Sequence, residues 1–290
     1  MTKVKMSNNM LESLIPNIRM KQDNMTSTEK KIVEWLLNPK NLTEKTSLHY
    51  AATQLSVSEA LIVKVSKLLG FHGFRELRSQ LSHYFNKKNI IDVELSEHST
   101  VNELVHKVFD ISLQTIVEGK SIVNSGVIEE ASKIFFNAQQ RDLYAAGGSS
   151  TVCDDIAHKF LRLGIRCNTY RDIHLMMMSA SMLTADDVVL VVSHSGKTSD
   201  LLTAVKVAKQ NGAKVICITH SNISPITELS DFVICTPAPD TPLLGKNASA
   251  RILQLILVDA FFVSVALQNM YLSETNLNKT TAITEYFRQK

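Results

Sequence analysis

The sequence predicts an all-α N-terminal domain followed by an α/β domain built on a parallel five-stranded sheet. Three observations carry that expectation. Residues 1–90 hold helical apolar patterns and turn signals but no β-rich run, whereas from residue 142 onward short apolar runs alternate with helical segments. Strand alternating with helix is the pattern of a parallel sheet covered on both faces. The charge is divided in the same place: residues 1–90 carry 14 Lys/Arg against 7 Asp/Glu, a balance of +7, and the remainder carries −4 of the overall +3. A chain of 290 residues fits two domains at roughly 150 residues each.

The elements follow in order. Residues 1–25 are polar and interrupted by Pro16, and read as an irregular arm. Thr26 and Glu29 have capping-box spacing and start an amphipathic helix that ends before Pro39. Residues 47–55 form a second helix, 56–58 a turn, 59–69 a third helix stopped by Gly70, and 74–85 a fourth with Phe74, Leu77, Leu81 and Phe85 on one face. Residues 87–100 read as a linker, leaving 26–86 as the helical domain. Helical patterns return at 101–118 and 127–138. Strands are expected at 142–146, 165–170, 187–192, 214–219 and 231–235. Helices are expected at 150–163, 174–183, 199–211, 225–230 and 247–269. The second domain is set at 101–270, with 271–290 as a tail.

Several classes of function are disfavoured. The 44% hydrophobic and 20% charged composition excludes a disordered or low-complexity chain. No basic-then-apolar leader opens the sequence, and its most apolar stretch, 252–267, is short for a membrane span and contains Asp259, so a cytoplasmic protein is expected. The four cysteines form no CxxC pair and the nine histidines no HExxH or paired ligand spacing, so neither metal nor cofactor is expected. Met176, Met177 and Met178 read as core or interface, Cys153 as a buried thiol, and Asp154-Asp155 and Asp186-Asp187 as solvated flanks.

Two kinds of site remain. The second and third helices have the lengths and the short turn of a helix-turn-helix, with Leu48, Ala51, Ala52, Leu55, Val57, Ile62, Val65 and Leu69 as its core. The other face of the third helix presents Ser58, Glu59, Leu61, Lys64 and Lys67, with Arg75 and Arg78 just beyond. Polar residues at that helix start can approach base edges, and the cations can reach the phosphates of double-stranded DNA. In the second domain, Ala146-Gly147-Gly148-Ser149-Ser150 and Ser193-His194-Ser195-Gly196-Lys197-Thr198 each lie between a strand and a helix. Hydroxyls and amides at a helix start bind a phosphate without many charges, and ligands of open α/β sheets sit at strand C-terminal ends. Tight turns capped by serine would give the same pattern.

The stretches VSEALIVKVSKLLGFHGFRELRSQL, AAGGSS, VVLVVSHSGKTSDLL, GAKVICITHS and TPAPDTPLLGKNASARILQLILVDAFFVSVAL together resemble RpiR-type transcriptional regulators over about residues 26–270. Those regulators join an N-terminal helix-turn-helix to a sugar isomerase (SIS) domain of flavodoxin-like fold. The resemblance implies a non-enzymatic regulator, a repressor of sugar catabolism genes, that binds operator DNA as a homo-oligomer and responds to a phosphosugar. The narrower likeness is to regulators of ribose and allose use, which makes ribose or allose phosphate the expected effector. It implies phosphate contacts from Ser149, Ser193, Ser195 and Thr198, beside Gly148 and His194 of the same loops. His174, Asp240 and Arg251 are candidates for the sugar end. Leu61 stands where the family usually has Thr, and Lys64-Val65 where it has Arg-Phe, so operator sequence does not carry over. The alternative is an aldose–ketose phosphate isomerase with a fused helical domain. It would need a proton-moving base, and neither loop supplies a Glu.

Overall fold

The computed structural model describes residues 12–22, 24–87, 100–238 and 248–288. The expected linker therefore falls almost wholly outside the described residues, as do residues 1–11 of the arm and Asp240. Contacts divide the chain into two compact units, one of Met1–Ile122 with Pro237–Lys246 and the other of Val123–Thr236 with Asn247–Lys290.

The first unit is helical: α1 (Leu14–Gln22), α2 (Ser27–Leu37), α3 (Leu48–Leu55), α4 (Glu59–Leu68), α5 (Phe74–Lys87) and α6 (Val101–Ile122). The arm is not irregular throughout. Pro16 falls in the first turn of α1, where a missing N–H costs nothing, and Leu14, Ile15, Ile18 and Met20 are buried. Helix α6 was expected to open the second domain but packs with α1, through a buried ion pair between Arg19 and Glu118. The expected capping box starts α2: the Thr26 hydroxyl accepts from the Glu29 amide while the Glu29 carboxylate accepts from the Thr26 amide. Ser47 and Ser58 cap α3 and α4 in the same way through Tyr50 and Leu61 amides. Between them Ser56 takes φ 52°, the only positive φ at a non-glycine among the described residues, and closes the turn. Ile32, Val33, Leu36, Ala51, Ile62, Val65, Leu77 and Leu81 interlock beneath the pair.

The second unit opens with α7 (Ser125–Asn137) and then runs β1 (Arg141–Ala145), a 3₁₀ turn (Gly147–Ser149), α8 (Ser150–Arg162), β2 (Asn168–Tyr170), α9 (Ile173–Met182) and β3 (Val188–Val192). It continues through α10 (Ser199–Gln210), β4 (Lys214–Thr219), α11 (Pro225–Glu228), β5 (Phe232–Cys235), α12 (Ala248–Ala266) and α13 (Met270–Arg288). All five strands are parallel, in the order β2-β1-β3-β4-β5. Side-chain alternation sends Leu143, Ala145, Leu190, Val192, Ile216 and Ile218 into one layer with α7, α8 and α12. Tyr144, Val189, Val191, Val215 and Cys217 face the other layer with α9, α10 and α11. In the first layer Phe135, Phe160 and Phe261 pack ring on ring, with centroids 4.8–5.9 Å apart, at a site where truncating one ring costs about 3–5 kcal/mol.

Two local expectations change. Asp187 is buried rather than solvated, because its carboxylate accepts from the Thr184 and Gln140 amides and ties the start of β3 to β1. The tail expected at 271–290 is mostly helix α13. The run Ala248–Arg288 has the length and apolarity of a membrane span by composition. In the fold, α12 buries Leu253, Leu257, Val258, Phe261 and Val265 against the sheet, and Asp259 pairs with Lys159 at 3.0 Å.

Candidate functional site

The helix-turn-helix face is built from α3 and α4. Ser58, as N-cap, and Glu59, at the first helical position, are exposed, as are Lys64 and Lys67 further along and Arg75 at the start of α5. Leu61 is not part of the open face: it packs half-buried on the core of the unit. Nor is Lys64 uncommitted. Its Nζ lies 2.9 Å from Oε1 of Glu29, a side chain only 7% exposed. The Thr26 backbone N–H, the Lys64 ammonium and the Thr26 hydroxyl hold the Glu29 carboxyl below the usual carboxylate range. Arg78 likewise donates to the Thr46 carbonyl at 2.7 Å. At the far end of α4, Lys21 Nζ donates to the Leu69 carbonyl at 2.7 Å, beside Gly70 at φ +98°. The helix is thus anchored at its C-terminal end by α1 and along its length by α2, and Lys67 is its exposed cation that makes no ion pair among the described residues.

The two Gly- and Ser-rich strand-to-helix loops occupy the place where open α/β sheets bind ligands. From β1 the chain moves to β2 on one side, then β3 returns to the other side of β1, so the strand order reverses between β1 and β3. Ala145 and Val192 are register partners at the C-terminal ends of these strands, and both loops leave from this one spot. Ser149 is the N-cap of α8 and Thr198 the N-cap of α10, yet neither hydroxyl bonds to its own helix. Both differ from Ser47, Ser58 and Thr26, which do. Capping of α8 and α10 therefore does not engage these two hydroxyls.

The other loop residues fall into place around them. Ser193 is buried at 3% exposure with its amide bonded to the Ile218 carbonyl. Ser195 is exposed, and its hydroxyl accepts from the Lys197 amide at 3.2 Å. Gly196 has φ +63°, and a Cβ there would meet Ser224 Cβ at 2.7 Å. Gly148 is exposed, and Nη2 of Arg251 stands 3.0 Å from where its Cβ would be, so α12 delivers a guanidinium to the first loop. His194 packs on His220 from the end of β4, ring centroids 4.9 Å apart. His220 was not anticipated, although the TH after β4 parallels the SH after β3. His174 sits exposed in the first turn of α9, where the Asp172 carboxylate accepts from its amide. Cys153, in the second turn of α8, is fully buried, and burial pushes its thiol up to about 12.

Comparison with known proteins assigns both regions of the chain to domain families. The helix-turn-helix domain model of the rpiR family matches residues 12–88, and the SIS domain model matches residues 134–264. The HTH-type transcriptional regulator RpiR of Escherichia coli strain K12 is 58% identical over 275 residues, 94% of this chain and 93% of that one. Among solved structures, the Vibrio vulnificus NanR protein complexed with ManNAc-6P superposes with a TM-score of 0.59 at 19% identity, covering 94% of this chain and 98% of that one. The sugar isomerase domain of an RpiR transcription factor from Sphaerobacter thermophilus gives 0.57 at 18% identity, covering 62% and 99%. At such identities the two structures speak for the fold. The chain belongs to the rpiR family of HTH-type transcriptional regulators, with a helix-turn-helix region followed by a SIS domain.

Proposed function

We propose that this regulator is a cytoplasmic, non-enzymatic repressor whose SIS unit binds a phosphorylated sugar and thereby changes its affinity for operator DNA. The observation that carries the reading is the pair of loops leaving Ala145 and Val192, in which the hydroxyls of Ser149 and Thr198 make no bond to the helices they precede. A phosphate placed there accepts from hydroxyls, from amides at two helix starts and from Arg251. His194 and His174 lie on the same C-terminal side of the sheet. The sugar candidates are ribose and allose phosphates, from the sequence likeness; the Vibrio protein of the same fold is described with ManNAc-6P. DNA contact comes from Ser58, Glu59, Lys67 and Arg75. The coupling is reciprocal: whatever free energy the sugar phosphate takes from DNA binding, DNA takes from sugar binding.

Calorimetric titration of ribose 5-phosphate and allose 6-phosphate into the wild type and into Ser193→Ala, Ser195→Ala and Thr198→Ala tests the site. Loss of one charge-assisted hydrogen bond, about 1.5–3 kcal/mol, weakens binding by about tenfold or more. Arg251→Ala acts in the same direction. DNA binding without sugar phosphate is expected to survive all four changes. Wild-type sugar affinity in every variant would place the ligand elsewhere, and turnover of either sugar phosphate would replace this reading with the isomerase.

A further inference from the structure

Glu59 is the one carboxylate on α3 and α4, and it stands at the start of the helix that meets DNA in the proposed function. A negative charge on a face directed at a polyanion is unfavourable unless the carboxylate accepts a hydrogen bond there. Its Oε1 lies 3.1 Å from Nδ1 of His49, in the first turn of α3. A carboxylate only accepts, so the imidazole donates its Nδ1–H. That bond occupies one oxygen and fixes the side chain, while Oε2 keeps its lone pairs. Both side chains are open to solvent, His49 at 84% and Glu59 at 50% exposure, so the pair lies on the surface, outside the core.

The chemistry selects among the four bases. In the major groove only cytosine N4 and adenine N6 offer amino donors, and adenine sets its N7 acceptor beside N6, where it faces a carboxylate lone pair to lone pair. Cytosine has no such neighbour. We propose that Glu59 reads the N4 amino group of one cytosine in each half-site, with His49 as its positioning residue. This assignment rests on α4 being the helix that enters the groove, and the test separates the two.

The full-chain protein is used to select from a randomised duplex library, and the selected site is then varied one base pair at a time in binding titrations. For the wild type, replacing the assigned cytosine weakens binding about five- to 150-fold, the discrimination of a good side-chain–base contact. In Glu59→Ala that penalty collapses to within about twofold while penalties at the other positions persist, which also shows that the variant is folded. Glu59→Gln moves the preference at that pair toward adenine, which an amide contacts through N6 and N7 together. His49→Ala relaxes discrimination at the same pair alone, and His49→Asn, whose amide N–H stands near the imidazole Nδ1, restores it. A Glu59→Ala protein that keeps every cytosine penalty, or that loses affinity equally for all duplexes, overturns the assignment and leaves the groove helix standing. Absence of any selected site with the wild type overturns both.

Discussion

Two lysines one turn apart on α4 have different expected roles because, among the described residues, only one has a carboxylate partner. Lys64 is bonded to Glu29, whereas Lys67 is exposed on the same helix. Lys67→Ala is expected to lower the salt slope of operator binding by about one unit, the signature of one lost phosphate contact. Lys64→Ala is expected to leave the slope near that of the wild type and to lower the melting temperature instead, by the loss of a partly exposed pair worth up to about 1 kcal/mol. Equal slopes for wild type and Lys67→Ala would remove Lys67 from the phosphate contact. Glu29 carries a pH dependence with a definite sign. Its folded pKa lies below its unfolded value, so its contribution is present above the ordinary carboxylate range and is lost as pH falls through the lowered value. Glu29→Gln is therefore expected to be less stable than wild type at neutral pH, with the gap narrowing in acid; denaturant midpoints measured from pH 7 downward check this. Cys153, raised by burial to about 12, is expected to resist a maleimide in the folded protein and to react only once denatured.

At the scale of elements, the second loop depends on a backbone conformation that only glycine adopts without strain. Gly196→Ala adds a Cβ at φ +63° against Ser224, and is expected to destabilise by about 1–3 kcal/mol and to weaken sugar-phosphate binding with it. Gly73→Ala, whose new Cβ would meet nothing within 4 Å, is the control; comparable denaturant midpoints for the two variants would contradict the strain. How far such elements were legible in the sequence depended on period. The strand β3 is a continuous apolar run, β4 holds one between Lys214 and Thr219, β1 has Leu143-Tyr144-Ala145 just before the Gly-Gly turn, and the helices α8 and α10 are amphipathic, so their places were evident. Helix α1 was hidden because Pro16 reads as a breaker until its first-turn position is known. Helix α13 was hidden because Ser273 is its only buried residue and no apolar face recurs along it. The loops themselves were visible as Gly- and Ser-rich strand-to-helix turns. The approach of Arg251 to Gly148 and the bond between Lys64 and Glu29 were not, since tertiary packing brings residues 103 and 35 positions apart together and local spacing does not encode it.

At the scale of the whole molecule, the apolar surface points to self-association. Ile256 and Val263 along α12, with Leu267, Met270 and Tyr271 following, leave large side chains exposed at helical spacing. A homodimer or larger is expected, since operator half-sites roughly 34 Å apart call for two reading helices; light scattering at micromolar concentration that returns a monomer would contradict it. A second molecular property follows from Ser149 and Thr198. Because these hydroxyls do not cap α8 and α10, an oxyanion at the two helix starts would act as a detachable end-piece of the fold, completing first turns that α3 and α4 complete from their own serines. Sensing would then be written in local rigidity. Amide hydrogen exchange in the first turns of α8 and α10 should slow when sugar phosphate is added, while exchange in the strand amides of β3 and β4 should hardly change.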